Sequence, residues 1–453
     1  MLPRIRGLRV LTSLVISALV LAACGTQAPA TPTTAPAAPT ATTAAAPADT
    51  PTTAAAADTP TTAAAEPTET AAGGAAGIIP EGSIPVGAVI PTTGRYAAGG
   101  TLVKNGYELA IEDINAAGGV DVGGEKFRLE LLVLDDESDA SKTTQRMETL
   151  NSSNAVVAYL GGFGSDLHAA AAAIAEKNKI PYVGVAFALY SIHQQGYQYL
   201  FSPFPKSPDI AKATFDLLDS FDPRPTKVAI FAETTDWGAE LGGLWKTEIS
   251  SRGYELVVDE QYAPGAKDFS PLVGKAKDAG AQVVLGLPNP PDGTAIVKQM
   301  KELAYTPEAM FLIRAPDSAT WAQNLGKDGD AVMLIQGWDA NVTFPGAREM
   351  AQRYQQKYGA PAISAVGSAY ASVQILADAI TRAGSTDRQA IRDALAATDM
   401  TDTVIGPVKF NPDGTGQVIS IVTQYQNGAQ VSVWPKEQSS AEPLYPAPPF
   451  DQR

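Results

Sequence analysis

The sequence predicts an α/β protein with two doubly wound lobes, each a mainly parallel sheet covered by helices on both faces. Apolar runs rich in β-branched residues alternate with amphipathic helical patterns from about residue 83, as expected for strands buried on both faces. The alternation occurs in two successive rounds, at 84–185 and 208–313. The folded segment of about 350 residues is too long for one small core and fits two ordinary domains.

The predicted elements carry local signals. The apolar run Ile84–Ile90 ends at a Pro91–Gly94 turn, and the helical pattern after it stops at Gly118-Gly119, a common C-terminal signal. Ser270-Pro271 indicates a helix start, with serine as the cap and proline at the first helical position. The first round predicts strands at 84–90, 128–134, 156–160 and 182–185 and helices at 97–117, 140–150 and 166–177.

The second round continues the alternation, and a helical segment follows it. Its strands are predicted at 227–232, 254–262, 282–286 and 309–313, and its helices at 208–221, 238–252, 271–279 and 293–304. Later helices at 346–358, 362–383 and 387–398 precede a predicted strand pair at 404–410 and 418–425.

The first residues have the three parts of an export signal. Arg4, Arg6 and Arg9 form a basic start, Val10–Leu21 is apolar, and small residues precede Cys24. The apolar stretch is about a dozen residues, whereas a transmembrane helix needs about 20. We therefore interpret residues 1–23 as a cleaved signal peptide.

Cys24 is the only cysteine of the chain. Leu21-Ala22-Ala23-Cys24 resembles a bacterial lipobox, which implies lipidation of Cys24 and a stable membrane anchor if several acyl chains are attached. A single cysteine also leaves no disulfide to staple the fold. Removing residues 1–23 takes away three arginines and no acid, so the net charge changes from −15 to −18. This acidity argues against nucleic-acid binding.

Residues 24–82 are predicted to be a disordered tether. They are almost entirely Ala, Thr and Pro with a few acids. Recurrent proline breaks helices and threonine forms them poorly, so such a stretch stays extended and buries no core.

Motifs spread along the folded segment resemble a known family. From Ile84 to about Trp434 the chain resembles a periplasmic binding protein of the branched-chain amino acid (Leu/Ile/Val-binding) type. The matching motifs are Thr93-Gly94-x-Tyr96, Gly106, Asn115–Gly119, Leu134–Ala140, Gly265–Ser270, Ala281–Leu285 and Gly406–Gly414.

The resemblance implies a type I periplasmic binding protein with three hinge crossovers and a ligand cleft between the lobes. Lobe 1 would comprise 83–203 and 337–420, and lobe 2 would comprise 204–336 and 421–436, with a C-terminal tail at 437–453. It further implies a monomer without a cofactor, anchored outside the cytoplasm, which captures a small molecule for the permease subunits of an ABC importer.

Ser165 is the first candidate for ligand binding. It lies in Gly161–Asp166, which follows a predicted strand and opens a predicted helix. Ligands of open α/β sheets bind beyond the carboxyl ends of the strands, where helix N-termini offer free N–H groups. The resemblance implies that Ser165 holds a ligand carboxylate. The alternative is that Ser165 only caps its helix.

The resemblance places further candidates on neighbouring loops. Ala188 occupies a position where the family usually has threonine, and Trp237 is where an aromatic residue covers the ligand. Asn289 is at a wall position, and Arg314 stands where amino-acid binders place an acid. The set is completed by residues of adjacent loops, namely Tyr96, Phe163, Gly164 and Ala186.

The residues at 188 and 314 suggest a ligand other than an α-amino acid. Ala188 lacks a hydroxyl, and a buried ammonium facing Arg314 would cost several kcal/mol. We hypothesise a small carboxylate without an ammonium, aromatic or aliphatic, or a neutral amide-like solute. The alternative for Arg314 is a solvated surface side chain.

The sequence offers no catalytic constellation and no metal site. His168 and His193 are the only histidines and are expected to be exposed, and Gly-x-Ser-x-Gly is absent around Ser165. Two histidines and one lipidated cysteine do not readily form a zinc site. The alternatives to transport are a ligand-sensing module coupled to a membrane receptor and an anchored hydrolase.

Overall fold

The computed structural model describes residues 82–154, 156–318, 320–335 and 338–453. Within these residues the strands are Ser83–Val89 (β1), Val120–Val122 (β2), Glu125–Leu134 (β3), Ala158–Leu160 (β4), Tyr182–Val183 (β5), Leu200–Phe201 (β6), Lys227–Glu233 (β7), Glu255–Tyr262 (β8), Val283–Gly286 (β9), Ala309–Leu312 (β10), Val332–Ile335 (β11), Asp399–Thr403 (β12), Gly406–Phe410 (β13), Gly416–Gln417 (β14), Val422–Gln426 (β15) and Ala429–Trp434 (β16).

The helices alternate with these strands through most of the chain. They are Ala97–Ala116 (α1), Ala140–Asn154 (α2), Ser165–Asn178 (α3), Ser207–Asp219 (α4), Asp236–Arg252 (α5), Ser270–Asp278 (α6), Pro290–Glu302 (α7), Trp321–Leu325 (α8), Ala347–Tyr358 (α9), Ser364–Ala383 (α10) and Arg388–Ala396 (α11). None of the described helices is both long enough and apolar enough to cross a membrane.

The first lobe is built on a six-stranded sheet with the order β2-β3-β1-β4-β5-β6. β1 pairs in parallel with β3 and β4, and only β2 runs antiparallel to its neighbour. All residues of β1 from Ile84 to Val89 are buried. A central parallel strand is covered on both faces, which is why this segment is an uninterrupted apolar run.

The second lobe is built on a seven-stranded sheet with the order β16-β15-β11-β10-β9-β7-β8. β7 to β11 are parallel, and the hairpin of β15 and β16 adds to the edge of β11 in antiparallel orientation. The carboxyl ends of β7, β9 and β10 therefore lie side by side at one edge of the sheet.

The chain passes between the two sheets three times: after β6, after β11 and before β15. The first and third passages lie next to each other, because Ser202 forms a parallel bridge with Thr415. Ser202 N–H donates to Gly414 O at 2.9 Å, and Gly416 N–H donates to Ser202 O at 2.9 Å. These paired segments form a hinge of the type I architecture.

α1 and α10 pack against each other at close range over the first sheet. A Cβ atom on Gly106 of α1 would lie 2.8 Å from Ala369 Cβ and from Val366 O, both on α10. The glycine therefore permits the approach of the two helices.

Most predicted elements are present, with ends that differ by a few residues. The predicted strand pair is wrong: β13 pairs with β12 and β14, whereas β15 pairs with β11 and β16. Local patterns also missed β2, β6, β11, α8 and β16. These elements are two to six residues long, too short to show a period.

The segment after β16 packs onto the second lobe. The Tyr445 ring stacks on Phe221 with 3.9 Å between ring centroids, and its hydroxyl donates to Glu308 at 3.0 Å. Arg453 donates to the main-chain oxygens of Asp328 and Asp330 at 2.8 and 2.7 Å. The C-terminal residues thus cover one end of the second sheet.

Candidate functional site

Two adjoining cavities lie where the carboxyl ends of the parallel strands of both sheets face each other. One contains about 330 Å³ of space and the other about 500 Å³. Ser165, Trp237 and Arg314 line both cavities. The smaller one is otherwise apolar, with walls from Phe163, Gly164, Ala186, Phe187, Ala188, Phe204, Ile210, Ile313 and Ile335. The larger one is polar, with walls from Tyr96, Asp166, Ala169, Leu189, Glu233, Thr235 and Asp236.

The N-terminus of α3 borders this site, with Ser165 on both cavities and Asp166 on the polar one. The main-chain N–H groups of Ser165, Asp166 and Leu167 have no acceptor among the described residues. Gly164 precedes them with φ of 105°, and a Cβ there would lie 2.8 Å from the Tyr96 ring. Free N–H groups at a helix N-terminus favour an anion.

Ser165 is the first residue of α3 rather than its cap. The cap position is Gly164, which has no side chain to make a capping hydrogen bond. Ser165 is 4% exposed, and its Oγ accepts the Leu189 N–H at 3.4 Å. Its hydroxyl hydrogen is left free to donate into the cavity. The alternative interpretation of Ser165 as a helix cap is therefore wrong.

The loop after β5 brings Ala186, Phe187 and Ala188 to the apolar cavity. Its three carbonyl oxygens accept from the protein itself, and each bond fixes part of the loop. Ala186 O accepts from Gly164 N–H at 3.1 Å, and Phe187 O accepts from Lys206 Nζ at 3.0 Å. Ala188 O accepts from the N–H and the hydroxyl of Ser207 at 2.8 and 2.9 Å.

Arg314 forms a buried ion pair with Glu233. Its Nη2 lies 2.6 Å from Glu233 Oε1 and also donates to Leu287 O at 3.0 Å. The two residues are 6% and 1% exposed, so the alternative of a solvated Arg314 is wrong. Burial alone lowers the pKa of Arg314, but the neighbouring Glu233 and Tyr96 raise it above its ordinary value, so the guanidinium stays charged.

Glu233 was missed by the sequence analysis. It is the last residue of β7, at the strand end where ligands bind in such sheets. The sequence signal that could have identified Glu233 is an acidic residue at the end of an apolar strand. Arg314 therefore does not face the cleft as an unbalanced charge, because Glu233 pairs with it.

Trp237 lies in the first turn of α5. Thr235 caps this helix by accepting the Gly238 N–H at 3.1 Å. The guanidinium carbon of Arg314 is 5.0 Å from the centre of the Trp237 ring. Trp237 is 5% exposed, and its Nε1 has no acceptor among the described residues.

Tyr96 connects the two lobes. Its hydroxyl donates to Asp166 Oδ1 at 3.1 Å in its own lobe and accepts from Arg314 Nη1 at 3.4 Å across the cleft. Burial raises the pKa of Tyr96 to about 12 despite the nearby Arg314. The second oxygen of Asp166 pairs with Arg95 at the rim.

Asn289 lines neither cavity. It caps α7 by accepting the Asp292 N–H at 3.0 Å, and its own N–H donates to Glu233 Oε1 at 3.2 Å. Its contact with the site therefore passes through Glu233. The other eight predicted ligand-binding residues lie on the cavity walls, and Cys24 lies outside the described residues.

His168 and His193 are buried, not exposed as expected. They are 1% and 3% exposed, and both rings stack with Phe187, with ring centroids at 4.3 and 5.8 Å. His168 Nδ1 is 2.7 Å from Gly164 O, and burial lowers the pKa of both histidines to about 3. Both are neutral supports behind the cavity wall.

No group of three or more metal-ligating side chains occurs among the described residues. Two α/β lobes with cavities between their strand ends are typical of proteins that bind a small molecule. The comparisons agree with this class. The chain belongs to the periplasmic binding protein family, whose model matches residues 83–430.

Relatives of known name cover most of the chain. A Leu/Ile/Val-binding protein homolog 7 of Brucella abortus is 27% identical over 391 residues, which are 81% of this chain and 95% of that protein. The structure of the leucine binding protein LivK of Thermotoga maritima is 22% identical with a TM-score of 0.70, covering 77% of this chain and 97% of the other. A solute-binding protein of R. palustris, solved with benzoate, is 18% identical with a TM-score of 0.69, covering 80% and 98%.

These findings support a function in general terms. The chain is a periplasmic-type binding protein, of a family that binds small molecules outside the cytoplasm and works with membrane permeases. Its relatives are solute-binding proteins rather than enzymes.

Proposed function

We propose that this chain is a lipid-anchored receptor that captures a small organic solute and presents it to an ABC permease for import. The observation that carries the proposal is the α3 N-terminus, whose first residue, Ser165, lines both cavities and whose first three N–H groups have no acceptor among the described residues. Such an arrangement suits the carboxylate of a small molecule. The candidate solutes are an amino acid, an amide and a small organic or aromatic carboxylate.

Walls contributed by both lobes support capture by closure. Ser165 lies in the first lobe, whereas Trp237 and Arg314 lie in the second, and all three line both cavities. A ligand that touches both lobes binds the closed state more strongly and shifts the equilibrium towards it. A permease can then distinguish the loaded protein from the empty one.

The named relatives differ in what they hold. The Thermotoga maritima protein is described as leucine-binding, and the R. palustris protein was solved with benzoate. Both chemistries have a carboxylate and an apolar body, which matches a polar cavity beside an apolar one.

The anchor is part of the proposal. Export through the signal peptide 1–23, lipidation of Cys24 and a tether at 24–82 would keep the lobes near the membrane. Cells grown with labelled palmitate should incorporate the label into the wild-type protein but not into the Cys24→Ser variant. Label retained in that variant would contradict lipidation at Cys24.

A thermal-shift screen of the full-length protein tests the capture of a solute. A ligand at 100 times its dissociation constant stabilises the folded state by about 2.7 kcal/mol. Ser165→Ala should keep the melting temperature of the free protein and reduce the shift produced by each hit. A panel of amino acids, amides and organic acids that produces no shift would contradict the proposal.

A further inference from the structure

We infer that protonation of Asp317 controls closure of the cleft, so that a protonated carboxyl favours the closed arrangement of the lobes and an ionised carboxyl favours the open one. This inference rests on the proposed function, because it assigns a regulation to the cleft that captures the solute. It follows from a buried carboxyl that lies in a contact between the lobes, on the loop that also carries Arg314.

Asp317 joins the two lobes. It lies on the loop after β10 in the second lobe, and its Oδ1 accepts the N–H of Ala365 at 3.2 Å. Ala365 is in the first turn of α10, which belongs to the first lobe. A second link runs beside it, because Gln430 of β16 donates to Pro316 O at 3.1 Å and accepts from the Ser364 hydroxyl at 3.0 Å. A rotation of one lobe against the other therefore changes the surroundings of this carboxyl.

The same loop carries a wall residue of the cleft. Arg314 lines both cavities, and its main-chain oxygen accepts the Asp317 N–H at 3.1 Å. Arg314 has a φ of 83°, a conformation that a residue other than glycine keeps only where its surroundings hold it in place. A shift at Asp317 therefore displaces the wall of the cleft, and closure around a solute acts on Asp317 in return.

The contact fits a neutral carboxyl better than a carboxylate. Asp317 is fully buried, and its Oδ2 has no hydrogen-bond partner among the described residues. The first turn of α10 has no titratable side chain. Burial raises the pKa of Tyr354 on α9 and of Tyr425 on β15, and the nearby Asp317 adds to both shifts. Neither phenol supplies a positive charge, and Arg314 is already paired with Glu233.

Protonation favours closure in a defined pH range. A carboxylate that is buried with a single hydrogen bond is costly, and burial raises the pKa of Asp317 to about 7 in the contact. An aspartate in water titrates near 3.9, so a carboxyl that opening brings into water is ionised above about pH 4. The closed arrangement therefore binds one more proton between about pH 4 and 7, and this advantage is lost as the pH rises through that range. A solute that binds the closed cleft should be held more tightly in acid.

Pulsed electron paramagnetic resonance on the full-length protein without ligand tests the inference. A Cys24→Ser background leaves no other cysteine. Ser141→Cys and Lys267→Cys then place one spin label on each lobe, at exposed positions after the carboxyl ends of β3 and β8.

The distance between the labels reports the ratio of closed to open protein. Lowering the pH from 8 to 5 should raise this ratio by up to roughly 100-fold, because pH 5 is two units below the pKa of about 7. Asp317→Asn keeps the Oδ1 acceptor without the charge. Its ratio should be the same at both pH values and as high at pH 8 as that of the wild type at pH 5.

Asp330→Asn is the matched control. Asp330 is also a buried acid of the second lobe, but its Oδ1 accepts the Gly428 N–H within that lobe, so the pH response should be unchanged. The same distances at pH 5 and pH 8 in the wild type would overturn the inference, whether or not the variants fold. A response that persists in Asp317→Asn, or that is lost equally in Asp330→Asn, would also overturn it.

These outcomes leave the proposed function intact, because the labelled protein is measured without a solute. A thermal-shift screen in which no solute of any class raises the melting temperature contradicts the proposed function, and the assigned regulation of capture falls with it.

Discussion

Arg314 reaches across the end of one strand to pair with Glu233 at the end of another. Arg314 follows β10 and Glu233 ends β7, and β9 lies between these strands in the sheet. The guanidinium donates to Leu287 O just beyond β9 and to Glu233 Oε1 at 2.6 Å. One side chain thus links three strand ends at the floor of the cleft, and its Nε–H has no acceptor among the described residues.

We expect this ion pair to show strong energetic coupling. Arg314→Met leaves the Glu233 charge buried without a partner, and Glu233→Gln does the same to Arg314. Each should lower the free energy of unfolding by about 3–5 kcal/mol. The double variant should cost much less than the sum of the two, because no unpaired charge remains. Urea unfolding of the four proteins measures this cycle.

The rim pair of Arg95 and Asp166 provides a matched control. Its side chains are 40% and 35% exposed, so water already solvates both charges. Arg95→Met should change the free energy of unfolding by no more than about 1 kcal/mol. Additive costs in the Arg314 and Glu233 cycle would contradict the buried pairing.

Trp237→Phe should weaken ligand binding because it removes the Nε1–H while keeping an aromatic ring. A hydrogen bond to a charged group contributes about 1.5–3 kcal/mol, so we expect the affinity for a carboxylate found in the thermal-shift screen to fall roughly 10- to 150-fold. Trp245→Phe is the control, because Trp245 is also on α5, is fully buried and has an Nε1 without an acceptor among the described residues, yet it lines neither cavity. Equal losses in both variants would indicate a general effect on packing.

Much of the fold was predictable because buried parallel strands and their covering helices have strong local patterns. β1 is an uninterrupted apolar run, and α1 ends where Gly118 and Gly119 begin. The site loops followed from the same patterns, since ligand-binding loops come directly after the strands. Within these loops the resemblance to the Leu/Ile/Val-binding family selected Ser165, Trp237 and Arg314.

The pairings across the chain were not predictable in the same way. Glu233 and Arg314 are 81 positions apart, and nothing local to either residue indicates a partner. His168 and His193 are buried beside Phe187, with which both rings stack. Residues of this kind become partners only through the order of strands in the sheet.

Because His168 and His193 are buried, we expect the free energy of unfolding to decrease in acid. Burial lowers the pKa of His168 and His193 to about 3, below the ordinary value of about 6.5 in the unfolded chain. Between these values the unfolded state binds more protons, so the free energy of unfolding decreases as the pH falls from 6.5 towards 3. A His168→Asn/His193→Asn variant should show a smaller slope in urea unfolding over this range. An unchanged slope would contradict the assignment, whatever the absolute stability of the variant.

The buried carboxyl of Asp317 should make the free energy of unfolding change with pH in the opposite direction. Burial raises the pKa of its carboxyl to about 7, although the Ala365 N–H donates to Oδ1 at 3.2 Å. The folded state therefore binds the proton more tightly than the unfolded state, and this stabilisation is lost as the pH rises from about 4 to 7. Asp317→Asn keeps the acceptor without the charge. It should match the wild type near pH 4 and exceed it by a few kcal/mol at pH 8 in urea unfolding. Equal stability at pH 8 would contradict the prediction.

Glu240 forms a contact between the two lobes, and we expect this contact to hold the cleft closed. It lies on α5 of the second lobe and accepts two main-chain N–H groups of the first lobe, from Tyr190 at 2.7 Å and Ser191 at 2.8 Å. Both oxygens of one carboxylate are thereby engaged across the cleft. Bonds to a charged acceptor are the stronger ones, so we expect this contact to stabilise the arrangement of the two lobes seen here.

Glu240→Gln removes the charge and turns an amide NH₂ towards one of the two donors. We expect the lobes to open more often and the amides of Tyr190 and Ser191 to exchange their hydrogens at least about tenfold faster, for a loss of roughly 1.4 kcal/mol. Hydrogen-exchange mass spectrometry of peptides covering 189–195 measures this without any ligand. Glu248→Gln is the control, because Glu248 is on the same helix but pairs with Arg252 within it, at 2.7 Å. Acceleration at 189–195 in the Glu248 variant, or its absence in the Glu240 variant, would show that the carboxylate of Glu240 does not hold the lobes together.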